Sequence, residues 1–268
     1  MGIRCRIDVV EMVLSTSSPR PPRVLLVIPC HNEVQNVGRL LDEIAALSLN
    51  VDTLVVDDGS TDQTSQVAKA RTACLRFSTN RGVGAAVQAG VRLAQERDYD
   101  LVIQVDGDGQ HPPSQLPKLI DEYHQTGASL IVGSRFLSSP SRQFRSTRIR
   151  RLGIRAISNA IKTLYERDFT DPTSGFRLMD RRAMQLFSQH YPYDFPEPVS
   201  IGIALQSGLQ VHEVPIRMRP RRAGQTYIRG LTSVLYVGKV VGALCAIRIG
   251  FQQSGTSESV TVPLQDVC

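Results

Sequence analysis

Asp106, Asp108 and Gln110 stand at alternate positions in Asp106-Gly107-Asp108-Gly109-Gln110, directly after the short apolar run Leu101 to Val105. The two carboxylates offer hard anionic oxygens and the amide a neutral one, and the two glycines let the backbone turn tightly enough for these groups to converge. Mg²⁺ or Mn²⁺ bridging a diphosphate fits such a set. A plain acidic, glycine-rich turn fits the same residues. An EF-hand calcium loop does not, because its glycine and glutamate positions, counted from Asp106, are His111 and Pro117.

Three other segments carry complementary chemistry: Pro29-Cys30-His31-Asn32-Glu33, Asp57-Asp58-Gly59-Ser60 and Asn80-Arg81-Gly82-Val83-Gly84. A nucleotide needs a flat face for its base, an acceptor for base N–H groups, and cations or backbone donors for phosphate. Together these segments supply all three. Each alone has a plainer reading. Ser60 and Thr61 suit a helix cap, and Gly82-Val83-Gly84 imitates a dinucleotide fingerprint without its place after the first strand or its third glycine.

The elements that must position these groups alternate. Val24 to Ile28 reads as a strand, Val34 to Leu47 as a helix with a stripe through Val37, Leu40, Leu41 and Ile44, and Thr53 to Val56 as a strand. A helix around Thr64 to Arg71, the strand Leu75 to Phe77, a helix over Gly84 to Arg97 and the strand ending at Asp106 continue the series. A helix then runs from Pro112-Pro113 to about Thr126, before the strand Ser129 to Val132. The expected fold is α/β, a Rossmann-like, mixed but mostly parallel sheet with helices on both faces, and the strand ends form its ligand crevice. Beyond Gly133 the order is an arginine-rich helical stretch to about Tyr165, a turn at Asp171 to Gly175, a strand at Phe176 to Met179, a helix over Val199 to Gln206 and a strand at Val211 to Arg217.

In 268 residues, 41% hydrophobic and 21% charged, the chain has ordinary globular composition. Five scattered cysteines without paired metal spacing suit reduced thiols in a cytoplasmic setting. The net charge of +6 favours an anionic partner. The arginines between Arg142 and Arg155 lack the interleaved aromatics of a stacking platform, so no nucleic acid is expected. Residues 1–22 read as a flexible tail and a poor signal peptide, 23–227 as the main domain with halves 23–135 and 136–227, and 251–268 as a second tail. Residues 228–250 read as a helix that lies at a membrane interface or packs on the domain, since Lys239 and Arg248 make it marginal as a span.

In combination, the four segments resemble family 2 glycosyltransferases of the type A nucleotide-sugar fold over roughly Val24 to Tyr227. Within that family the similarity is to the polyprenyl-phosphate sugar synthases. It is carried further by Gly133-Ser134-Arg135, by Asp171 to Arg177 (DPTSGFR), and by Glu213-Val214-Pro215 with Arg221-Arg222-Ala223-Gly224-Gln225-Thr226. His31 stands where the family has an aromatic residue, and Thr226-Tyr227 where it has serine and lysine. The resemblance implies that Pro29, His31, Glu33, Asp58, Arg81, Asp106 and Gly107 bind the nucleotide-sugar donor, with Asp58 receiving a base N–H. Asp106, Asp108 and Gln110 would hold Mg²⁺ or Mn²⁺, and Arg135, Arg177 and Arg221 the acceptor phosphate. Asp108, Arg135 and Arg177 form the expected catalytic set.

The implied reaction is metal-dependent, inverting transfer of a hexosyl group, mannosyl from GDP-mannose foremost, to a polyprenyl phosphate. It would take place peripherally on the cytoplasmic face of a membrane, with basic and apolar helices approaching anionic headgroups. Two alternatives stay open. A hydroxyl acceptor would need a general base, for which Glu197 in Phe195-Pro196-Glu197-Pro198 is the candidate; otherwise that residue orients a sugar hydroxyl or caps a helix. The other alternative is a noncatalytic nucleotide-sugar-binding subunit.

Overall fold

The computed structural model describes residues 20–137, 148–219 and 232–250. Nearly all of the N-terminal tail, the arginines Arg142 and Arg145, the segment holding Arg221 and Thr226-Tyr227, and the tail 251–268 lie outside the described residues.

Seven strands form one sheet in the order β3-β2-β1-β4-β6-β5-β7. They are β1 (Val24–Cys30), β2 (Val51–Asp57), β3 (Ala73–Arg76), β4 (Leu101–Gln104), β5 (Leu130–Ser134), β6 (Arg177–Asp180) and β7 (Val211–Pro215). The helices are α1 (Val34–Ala45), α2 (Thr64–Lys69), α3 (Val83–Glu96), α4 (Leu116–Thr126, entered through a 3-10 turn at Pro113–Gln115), α5 (Arg148–Tyr165), α6 (Arg181–His190), α7 (Pro196–Gln206) and α8 (Thr232–Gly250).

All seven residues of β1 are buried because helices cover both faces of this central strand. Its alternation divides the core. Val24, Leu26 and Ile28 pack with Val37, Leu40 and Leu41 of α1 and with Leu116 and Leu119 of α4. Leu25 and Val27 pack with Val87 and Val91 of α3 and with residues of α5 to α8. The periodicity expected of α1 is therefore realised against one face of the sheet.

The decisive departure from a wholly parallel sheet is β6, which runs antiparallel to both β4 and β5 between them. A reversed strand enters the sheet at the edge where its parallel neighbours leave it. The segment 171–176 leading into β6 is thereby brought to the C-terminal ends of β4 and β5, beside Asp106 and Arg135. Helix α6, which the sequence reading did not place, follows β6 at once; Asp180 caps it, accepting from the Ala183 N–H at 2.8 Å.

Among the described residues no helix is long and apolar enough to cross a membrane. Helix α8 packs on the domain through Val240 and Leu244, both fully buried, and the Leu244 carbonyl accepts from the Tyr165 hydroxyl at 3.1 Å. Leu235 and Ile249 remain exposed.

Candidate active site

The loops after β1, β2 and β3 are tied into one rim. His31 Nδ1 lies 2.8 Å from the Asp58 carbonyl oxygen, the Asn32 N–H donates to Ser60 Oγ at 2.9 Å, and Asn32 Oδ1 accepts from the Thr61 N–H at 2.9 Å. Asn32 adopts a left-handed conformation, φ 55°, which its short polar side chain tolerates. Glu33 is buried at the start of α1, where its carboxylate accepts from Asn36 Nδ2 at 2.6 Å and its N–H donates to Thr64 Oγ1 at 2.9 Å. The two oxygens of Asp58 accept the N–H groups of Arg81 at 2.6 Å and Gly82 at 2.8 Å, so this carboxylate shapes the third loop. Arg81 is exposed, its guanidinium 5.5 Å from the Phe77 ring centroid. Pro29 is buried within β1.

The acidic loop lies between this rim and the segment entering β6. A Cβ on Gly107 would collide with Cys30 Sγ, and one on Gly175 would meet the Asp106 carboxylate oxygens at 2.5 and 2.7 Å. Asp106 thus rests against the bare Cα of Gly175, at a contact no larger residue permits. Asp108 Oδ1 accepts from the Gln110 N–H at 3.0 Å. Gln110 is strapped to Arg219 by two bonds: its carbonyl accepts from the Arg219 N–H at 2.9 Å, and its Nε2 donates to the Arg219 carbonyl at 3.4 Å. Arg219 is itself anchored on Glu43 at 2.6 Å. With Nε2 committed, the amide oxygen is the Gln110 atom suited to a cation. His111, buried at the end of the loop, has its Nδ1 3.6 Å from Asp106 Oδ2, and burial lowers its pKa to about 4, leaving the ring neutral at neutral pH.

On the opposite wall, Arg135 is 7% exposed and grips Asp171 with paired donors, Nε to Oδ2 and NH2 to Oδ1, each at 2.5 Å, while NH2 also donates to Thr173 Oγ1 at 2.9 Å. Burial works against the guanidinium charge, but the Asp171 carboxylate outweighs it and raises the pKa. Glu213 on β7 accepts from the N–H groups of Thr170 and Asp171, both at 2.7 Å. Burial nevertheless pushes its own pKa up.

Arg177, expected to hold the acceptor phosphate, has its donors turned to the protein instead. It is fully buried, with Nε donating to the Ser174 carbonyl at 2.7 Å, NH2 to the Pro172 carbonyl at 3.0 Å and NH1 to Ser200 Oγ at 2.7 Å. All three guanidinium nitrogens are thus engaged by the protein itself, beside rather than in the open crevice. Its donors hold the loop that carries Gly175. Burial lowers its pKa and raises that of Glu197 in the first turn of α7, for which Arg177 is the opposing influence. Phe195, just before α7, is held at φ 51°, and its ring meets Tyr236 of α8 edge-on, 5.0 Å between centroids.

The sequence compares with known proteins in the same terms. The Glycosyl transferase family 2 model matches residues 25–187. The chain belongs to glycosyl transferase family 2. This transferase is 31% identical over 218 residues to the undecaprenyl-phosphate mannosyltransferase of Micrococcus luteus, covering 78% of this chain and 88% of that one. It is 30% identical over 220 residues to the polyprenol monophosphomannose synthase of Mycolicibacterium smegmatis, covering 78% and 82%. Its fold is that of glucosyl-3-phosphoglycerate synthase from Mycobacterium tuberculosis, solved with Mn²⁺, UDP and phosphoglyceric acid, with a TM-score of 0.66 at 20% identity over 85% of this chain and 79% of that one.

In this transferase the donor set suits a divalent cation shared with a substrate. Among the described residues no three His, Cys, Asp or Glu side chains are grouped to cage a metal. Asp106 and Asp108 with one amide oxygen are too few ligands for a closed site. They do match the binding mode of Mg²⁺-like ions, which take one or two carboxylates and complete their shell with phosphate oxygens and water. Four residues packed around this candidate site carry no role in the sequence reading: Asp171, Glu213, His111 and Arg219. The first two lie within segments quoted for their arginine and proline; His111 entered only as a mismatch to a calcium loop.

Proposed function

We propose that this transferase moves a mannosyl group from GDP-mannose to the phosphate of a polyprenyl phosphate, with inversion at the anomeric carbon. The observation that carries the reading is 30–31% identity, over more than four fifths of their length, to two mannosyltransferases whose names specify polyprenyl-type phosphates. The juxtaposition of Asp106 with the 171–177 loop supports it, because it sets the donor diphosphate motif beside the wall holding Arg135.

A phosphate acceptor defines the chemistry. With its second pKa about 6, a phosphate monoester is mostly dianionic at neutral pH and needs no general base. One of its oxygens forms the new bond to C1 while the bond from C1 to the β-phosphate oxygen breaks, the electron pair leaving with GDP; single displacement inverts the carbon. Asp106 and Asp108, with Gln110, would hold Mg²⁺ or Mn²⁺, which supplies neutralisation of the departing diphosphate when bound. Arg81, exposed on the rim formed by the loops after β1, β2 and β3, would meet the nucleotide. Arg135, held in place by its pair with Asp171, would line the acceptor side, and Arg221 is assigned there by its motif. Binding is peripheral, at the cytoplasmic face of the membrane that holds the lipid.

The test is a panel of GDP and UDP sugars carrying a radiolabelled glycosyl group, incubated with Mg²⁺ or Mn²⁺ and a short polyprenyl phosphate and extracted into organic solvent. Label from GDP-mannose is expected in the lipid phase. Label from another donor would replace the sugar assignment, and none from any donor would overturn the reaction.

A further inference from the structure

His111 is 1% exposed and belongs to no part of the reaction described above. Its ring lies nearly parallel to Phe176, with centroids 5.0 Å apart and planes at 19°, so the stack fixes the direction of its nitrogens. Nδ1 is buried and has no hydrogen-bond partner, a condition that native structures rarely leave without a reason. Asp106 Oδ2 lies 3.6 Å from it, just beyond hydrogen-bond length. Phe176 adjoins Gly175, against which the Asp106 carboxylate rests. The ring, the orphan nitrogen and the carboxylate therefore share one wall.

The geometry points to His111 as the positioning residue for Asp106: in the cation-loaded site Nδ1–H donates to Oδ2, fixes the carboxylate plane and leaves its other oxygen as the ligand atom. This inference rests on the metal assignment of the proposed function. Ligating carboxylates are commonly oriented by such outer hydrogen bonds, whose loss weakens metal binding about 10–100-fold. The direction of support is set by the fold, because the stack on Phe176 holds the imidazole still while a partly exposed aspartate moves the fraction of an ångström needed.

The experiment is an EPR titration of the full chain with Mn²⁺ in the presence of GDP, comparing wild type, His111→Phe, which keeps the stack, and His111→Asn, which keeps an N–H donor. His111→Phe is expected to bind Mn²⁺ about 10–100-fold more weakly, with His111→Asn recovering most of the loss. Thermal unfolding without metal shows whether each variant folds; if phenylalanine does not, His111→Leu against His111→Asn gives the same reading. Wild-type affinity in His111→Phe would overturn the inference, as would electron spin echo modulation showing ¹⁴N bound directly to Mn²⁺. Failure of the wild-type chain to bind Mn²⁺ with GDP would overturn the metal assignment as well, so the two failures are distinguishable.

Discussion

Arg135 and Asp171 meet edge to edge inside the protein, through two contacts of 2.5 Å. The pair is nearly enclosed, its side chains 4% and 0% exposed. Glu213 fixes Asp171 from below by accepting its backbone N–H, so β7 sets the loop, the loop sets the aspartate, and the aspartate sets the arginine.

Breaking this pair has a definite consequence. Asp171→Ala strands the Arg135 charge in the interior and is expected to destabilise the fold by about 3–5 kcal/mol, the usual cost of removing one partner from a buried ion pair. Arg135→Ala strands the aspartate and costs a similar amount. Because the two share one interaction, the double variant should lose clearly less than the sum of the singles in denaturant unfolding. Additive losses would show that the pair is not coupled.

The sequence shows the sheet well and the work of individual residues less well. The stripe Val37, Leu40, Leu41 and Ile44 and the apolar run Leu101 to Val105 revealed their elements, because burial on a helix face or in a central strand imposes a period or a run. The reversal of β6 is not encoded that way; strand direction follows from connection lengths and neighbours. Without that reversal, Asp171 to Arg177 reads as a segment somewhere near the site, and Arg177 as a phosphate ligand. Guanidinium chemistry is the same for phosphate oxygens and for the carbonyls of Pro172 and Ser174, so only burial separates the two roles. Arg221 lies outside the described residues and keeps its assignment by motif alone.

Metal dependence is tested at Asp108. Asp108→Ala is expected to lower labelled transfer by at least about 100-fold, roughly 2.7 kcal/mol of barrier, since a cation's stabilisation of the leaving diphosphate is worth several kcal/mol. Chelation of wild type by EDTA should produce a loss of the same order, reversed by excess Mg²⁺ or Mn²⁺. Full metal-dependent turnover in Asp108→Ala would remove it from the site.

Membrane binding is expected through α5 and α8. Arg151 and Arg155 are exposed on α5, flanking Leu152, which is 69% exposed, and Leu235 on α8 is 64% exposed. Basic residues at an anionic surface contribute about 1 kcal/mol each. Arg151→Glu with Arg155→Glu should therefore weaken co-flotation with anionic liposomes by well over about tenfold. Binding to neutral liposomes should be weak for both proteins. Equal flotation of wild type with neutral and anionic liposomes would sink the electrostatic part.

Glu197 separates a phosphate acceptor from a hydroxyl acceptor. Glu197→Gln preserves shape and removes the carboxylate, so transfer to a polyprenyl phosphate should change by only a few-fold, whereas loss of a required general base typically costs about 100- to 10,000-fold. The same variant carries a pH signature. Burial raises the Glu197 pKa in the folded state against the opposing pull of Arg177. A carboxyl with a raised folded pKa favours folding below its unfolded pKa, and that contribution is lost as pH rises through the folded value. Glutamine does not titrate. Relative to wild type, Glu197→Gln should gain unfolding free energy between pH 4.5, the ordinary glutamate value, and neutrality, as denaturant midpoints measured across that window would report. A wild-type advantage that grows with pH would mean that the Arg177 attraction outweighs burial.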